Sequence, residues 1–161
     1  MTDLSTQSKI RSLAAAAVWR RHQNGLIVLT NGVFDLIHPG HVALLEAAHS
    51  EGDALVVGIN SDASVRRLGK GKERPIVPEA ARARVVAALA AVDCVVIFDQ
   101  DTPYELITVL EPDVLVKGAD YSREQTIGAE VVEARGGRIK HVELVIGFST
   151  SDIVERLRAP S

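Results

Sequence analysis

Five short aliphatic runs, each followed by a segment of helical character, constrain this 161-residue chain more than any other feature. The runs are Leu26–Thr30, Ala54–Ile59, Cys94–Phe98, Val114–Lys117 and Ile139–Leu144. Between them lie His41–His49, Asp62–Leu68, Glu79–Ala91, Tyr104–Leu110 and Gly128–Arg135, and a last segment follows at Thr150–Arg158. Runs rich in valine and isoleucine suit strands buried on both faces. Strands alternating with helices join as right-handed βαβ units. The sequence therefore predicts an α/β fold built on a doubly wound parallel sheet. Gly52, Gly136 and Gly137 fall where helices should end. Lys9–Arg21 has the pattern of an alanine-rich amphipathic helix. The expected organisation is thus a single domain over residues 1–161, with a helical extension at 1–25 and a core at 26–158.

Bulk properties narrow the partners. A formal net charge of -3 gives no electrostatic reason to expect nucleic acid or a membrane surface. The single cysteine, Cys94, excludes an intrachain disulfide, and its apolar neighbours mark it as a core residue. No apolar run approaches the roughly 20 residues of a membrane span, and the opening MTDLSTQSK lacks a signal-peptide pattern. A cytoplasmic setting is the expectation.

In doubly wound sheets, ligands bind beyond the carboxyl ends of the strands, where the strand order reverses. Here the first run leads into TNGVFDLIHPGH, the second into NSD, the fourth into KGADY and the fifth into GFSTSD. Groups able to hold phosphate gather at that one end. Pro39 suits a first helical turn, which would put His38 and His41 on one face. Gly40 between them lets a phosphate approach the backbone, and helix N-terminal amides add positive potential. Two histidines merely capping a turn, or sharing a zinc ion, are the competing readings. The zinc reading lacks a nearby cysteine or third histidine. The long stretch Gly69–Pro78 (GKGKERPIVP) is a basic loop but no Walker P-loop, because no serine or threonine follows its lysine.

The HxGH segment resembles the signature of the cytidylyltransferase-like nucleotidyltransferases. Asn60–Leu68, Arg74-Pro75, Ala91-Val92-Asp93, Asp101-Thr102-Pro103, Pro112–Tyr121 and Ser149-Thr150 follow in the order found in D-glycero-β-D-manno-heptose 1-phosphate adenylyltransferases. The resemblance covers about Leu26 to Leu157. It implies a Rossmann-like five-stranded sheet in the order 3-2-1-4-5, and transfer of AMP from ATP to a sugar 1-phosphate with release of pyrophosphate. In that reaction the acceptor phosphate attacks the α-phosphorus in line, so the protein supplies positioning and charge stabilisation.

The resemblance also implies roles for particular residues. His38 and His41 are the expected catalytic donors to phosphate oxygens, with Lys72 beside them. Lys70 and Lys72 are alternatives that spacing does not separate. Nucleotide contacts are expected from Thr30, Asn31, Gly32, Phe34, His38, His41, Arg82, Lys117, Gly118, Asp120, Gly147, Ser149 and Thr150. Acceptor contacts are expected from Asp35, Asn60, Asp62, Lys70, Lys72 and Arg74; for Asp35, a local cap is as good a reading. Mg²⁺ is expected on the phosphates and water, since no carboxylate cage is evident, and a homodimer is implied. Ala81, Ala119 and Ser151 stand where relatives commonly have glutamine, glycine and threonine. Two rival functions are a cytidylyltransferase for a phosphorylated alcohol such as glycerol 3-phosphate and a nucleotide sensor without turnover. The KGAD-Y and RRLGKGKERP segments favour adenylyl transfer over the first. Retention of both histidines argues against the second.

Overall fold

The computed structural model describes residues 5–159. After a 3-10 turn at Thr6–Lys9, the elements run β1 (Ile10–Arg11), α1 (Leu13–Arg21), β2 (Ile27–Gly32), α2 (Pro39–His49), β3 (Ala54–Asn60), α3 (Asp62–Arg67), α4 (Glu79–Ala87), β4 (Cys94–Phe98), α5 (Tyr104–Leu110), β5 (Val114–Gly118), α6 (Ala129–Ala134), β6 (Arg138–Val142) and α7 (Thr150–Arg158). All strands are parallel, in one sheet ordered β1-β4-β3-β2-β5-β6.

The sheet has six strands, not the expected five. The five anticipated strands keep the neighbour order 3-2-1-4-5 among themselves, and β1 adds an outer edge beside β4. Two residues, Ile10 and Arg11, are too few to carry a periodic signal, and they lie inside the segment expected as helix. That segment becomes helical only at Leu13, where the Ser12 hydroxyl accepts the Ala15 amide at 3.2 Å. The first four residues of the expected extension lie outside the described ones.

Alternate side chains of each strand enter opposite cores, as a pleat requires. Val28, Leu55, Val57, Ile59, Val95, Val114 and Val116 face α2 and α4 through Leu45, Ala48, Ala83, Val86 and Ala87. Ile27, Leu29, Val56, Cys94, Val96 and Leu115 face α1, α5 and α6 through Ala16, Leu106, Ile107, Leu110 and Val132. Each of these large side chains contributes about 1.5–3 kcal/mol by leaving water.

The two ends of the sheet are used differently. At the amino end, aspartates serve structure: Asp53 accepts the Leu26 amide at 2.7 Å, Asp113 the Ile27 amide at 2.8 Å and Asp93 the Leu55 amide at 2.8 Å. At the carboxyl end, β2 keeps its register with β3 from Ile27 to Gly32 but pairs with β5 only at Val28 and Leu29. Beyond that point the Thr30 hydroxyl spans to the Val116 carbonyl at 3.0 Å. The sheet opens there, at the place where the winding reverses direction.

Candidate active site

The turn leaving β2 builds the centre of the site. Phe34 and Leu36 both have φ 52°, and Asp35 between them is buried. His38 then caps α2 with its own ring, Nδ1 accepting the Gly40 amide at 3.1 Å, and Pro39 opens the helix. With Nδ1 an acceptor, neutral His38 carries its proton on Nε2. The rings of His38 and His41 stack with centroids 3.8 Å apart, and Phe34 lies 5.3 Å from the His41 ring.

Both imidazoles are held neutral. Desolvation lowers the pKa of His38. Desolvation lowers that of His41 to about 4, reinforced by repulsion from His38 whenever that ring is protonated and by Arg74, and opposed by Asp35. His41 Nδ1 is buried with no hydrogen-bond partner among the described residues. A buried ring nitrogen of that kind is costly unless a ligand meets it.

A cleft of about 500 Å³ lies over this pair, lined by His38, Gly40, His41, Lys70, Arg74, Asp120 and the Ser149-Thr150-Ser151 start of α7. Ser149 caps α7 by accepting the Asp152 amide at 3.0 Å, and the Thr150 hydroxyl donates to the Asp35 carbonyl at 2.6 Å. A second hollow of about 440 Å³ shares Phe34, His41, Lys70 and Asp120 with it. That hollow also takes in Thr30, Asn31, Gly32, Asn60, Lys117 and Gly118. Lys117 Nζ donates to the Asn31 side chain, and burial lowers its pKa to about 8. The arrangement brings imidazole donors, Lys70 and a helix N-terminus to one cleft, with a polar annex containing Lys117 beside it.

Four expected residues lie elsewhere. Arg82 is only 1% exposed and lines neither hollow. Its Nε donates to the Val77 carbonyl at 2.8 Å, Nη1 to the Val33 carbonyl at 2.6 Å and Nη2 to Asp62 at 2.8 Å. The guanidinium is thus committed inside the protein, and Asp62 is its partner rather than part of the lining. Lys72 is exposed and lines neither hollow, whereas Lys70 lines both. Gly147 also lies outside the linings; its φ of 88° turns the chain toward α7. Asp35 borders the first hollow, but its carboxylate is bound to Arg74, Ile76 and Val77.

Sequence reasoning missed part of the walls. Leu44, Leu144 and Phe148 give the first hollow an apolar side, and Tyr121, Gln125 and Thr126 border the second. Asp101, Thr102 and Pro103 border it as well. They follow β4 and belong to a motif already legible in the sequence, and the carboxyl-end rule could have given that motif a place in the site.

A family model described as cytidylyltransferase-like matches residues 29–156. The chain belongs to the cytidylyltransferase-like family. Its class of chemistry is therefore nucleotidyl transfer. Among its relatives, the bifunctional protein HldE of Citrifermentans bemidjiense is 54% identical over 155 residues, covering 94% of this chain and 32% of the relative. The bifunctional protein HldE of Rhodopseudomonas palustris (strain HaA2) is 58% identical over 143 residues, 88% of this chain and 29% of the relative. The chain thus spans about a third of the length of these curated relatives. A solved lipopolysaccharide core biosynthesis protein from Thermoplasma volcanium superposes with a TM-score of 0.63 at 26% identity, covering 76% of this chain and 98% of that one. The pantoate-beta-alanine ligase of Francisella tularensis, at a TM-score of 0.60 and 12% identity over 90% of this chain and 75% of that one, shares the fold. No helix among the described residues is long and apolar enough to cross a membrane.

Proposed function

We propose that this member of the cytidylyltransferase-like family transfers AMP from ATP to a sugar 1-phosphate, D-glycero-β-D-manno-heptose 1-phosphate, giving ADP-heptose and pyrophosphate. The observation that carries the reading is the meeting of His38 and His41 with the Ser149-Thr150 helix start across one cleft. These groups are more than a hundred residues apart in the chain, and a capping role for either does not require them to face each other.

An acceptor phosphate oxygen attacks the α-phosphorus, the new O–P bond forms, and the bond to the β-phosphate oxygen breaks with pyrophosphate leaving. Charge grows on the equatorial and leaving oxygens. Neutral imidazole N–H groups, the α7 amides and Lys70, which border the same cleft, would meet it. The polar annex with Asn31, Asn60 and Lys117 suits the phosphorylated acceptor. Mg²⁺ would supply charge neutralisation on the phosphates, held largely by phosphate oxygens and water. Of the acidic side chains along the linings, Asp35 is paired with Arg74 and Asp101 with Arg67, which leaves Asp120 to assist it. The HldE relatives and the neighbour named for lipopolysaccharide core biosynthesis support a nucleotide-sugar product. The proposal extends to a cytoplasmic homodimer, whose mass sedimentation would read.

Pyrophosphate release should be measured with ATP and with CTP against sugar 1-phosphates and glycerol 3-phosphate. ATP with the heptose 1-phosphate should turn over fastest. Preference for CTP with glycerol 3-phosphate would overturn the substrate assignment. Nucleotide binding without pyrophosphate from any acceptor would favour the sensor.

A further inference from the structure

Asp35 ties its own turn to two segments that reach the cleft from separate parts of the chain, Arg74–Val77 and the start of α7. Its carboxylate, with no exposed surface, accepts Arg74 Nε at 2.8 Å, the Ile76 amide at 2.8 Å and the Val77 amide at 2.9 Å. Its carbonyl accepts the Thr150 hydroxyl at 2.6 Å. A local cap would draw donors from the next few residues; the donors to this carboxylate are 39 to 42 residues away. A buried carboxylate is tolerated only with this degree of compensation.

The backbone around it is held equally firmly. Phe34 and Leu36 on either side are in the left-handed region, which bulky residues adopt only where the surroundings impose it. Arg82 fastens the same two segments from the other side, through the Val33 and Val77 carbonyls. Lys70 lies between Gly69 (φ 66°) and Gly71 (φ 122°), and both hollows include it. The descending limb from Arg74 to Val77 is therefore fixed to the histidine turn, while the lysine above it stands between two pivots.

We propose that Asp35 is a positioning residue for nucleotidyl transfer: without touching substrate, it sets where the loop carries Lys70 relative to His38 and His41. The proposal rests on the reading of the cleft as a transferase site. With three protein donors on its two oxygens and no exposed surface, the carboxylate is turned to the loop, which separates it from a substrate ligand.

The test is a double-mutant cycle. Asp35→Asn keeps the volume and removes the charge; it should lower kcat by roughly 10²-fold, the scale of a 1 Å misplacement, with the KM for ATP little changed. Lys70→Ala should lower kcat on its own and add nothing in the Asp35→Asn background. Hydrogen exchange at the Ile76 and Val77 amides should quicken in Asp35→Asn. If Asp35→Asn fails to fold, Arg74→Gln loosens the same limb from the loop side and must show the same non-additivity with Lys70→Ala. Multiplicative losses, or a Lys70→Ala protein as active as its parent, would overturn the proposal while leaving the transferase reading intact. An unsubstituted protein that transfers nucleotide to no acceptor would instead remove the reading beneath it.

Discussion

At the scale of single residues, the site works by withholding protons. His41 is half-buried beside His38, and two stacked imidazoles cannot both be charged at low cost. Both are neutral donors at pH 7. Lys117 lies on the other side of the balance: burial lowers its pKa to about 8, so its charge is present below that pH and lost above it. A phosphate acceptor favours the charged form, so kcat/KM, which reports the free enzyme, should fall as the pH rises through about 8. Lys117→Gln should lose that limb and run low and flat; an unchanged profile would remove Lys117 from acceptor binding. Arg82 makes the opposite case, a cation buried away from both hollows. Its buried guanidinium joins the Val33 and Val77 carbonyls and the partly exposed Asp62, and leaving a buried acceptor unpaired costs about 1–3 kcal/mol. Arg82→Ala should therefore lower Tm sharply in thermal unfolding, while the folded fraction keeps its nucleotide affinity in direct binding measurements. A stable variant that had lost nucleotide affinity would show the reverse role.

At the scale of elements, the turn from β2 into α2 carries most of the chemistry, and it was also the most legible part of the sequence. HxGH after an aliphatic strand names its own geometry: proline opens the helix, and histidines three apart share a face. The tight place is Gly40, where an added Cβ would stand 2.9 Å from His38 Cε1 and 3.0 Å from Nδ1. Gly40→Ala should therefore cost little stability, because the ring can move, yet lower kcat by about 10²-fold by moving it. Equal losses in stability and rate would contradict that split, with urea unfolding and steady-state kinetics as the two readouts. What sequence could not give is direction. Arg82 near the start of α4 reads alike whether it points to the cleft or into the protein, and only the folded chain shows it inward. Lys70 and Lys72 are equivalent in a flexible loop until Asp35 fixes the limb beneath them. Ser149-Thr150 was legible as a helix start, but the Thr150 bond to the Asp35 carbonyl is a tertiary fact with no local signal.

At the scale of the whole molecule, function follows from where the winding reverses. β2 and β5 part beyond Leu29 and Leu115, and the histidine turn, Lys117 and α7 all descend on that opening. Four of the five anticipated strands, β2 to β5, were legible as aliphatic runs buried between neighbours, and the edge strand β6 (RIKHV) was legible from its place after a helix and paired glycines. β1 was not, because two residues carry no period and their pairing with β4 depends on α1 packing Ala16 into the core. The central claim is that two imidazoles and a helix start hold one triphosphate. A crystal structure with a non-hydrolysable ATP analogue tests it most directly. The phosphates should lie between the rings of His38 and His41 and the amides of Ser149, Thr150 and Ser151, with the α-phosphate open toward the annex at Lys117. A triphosphate bound away from either group would contradict the account.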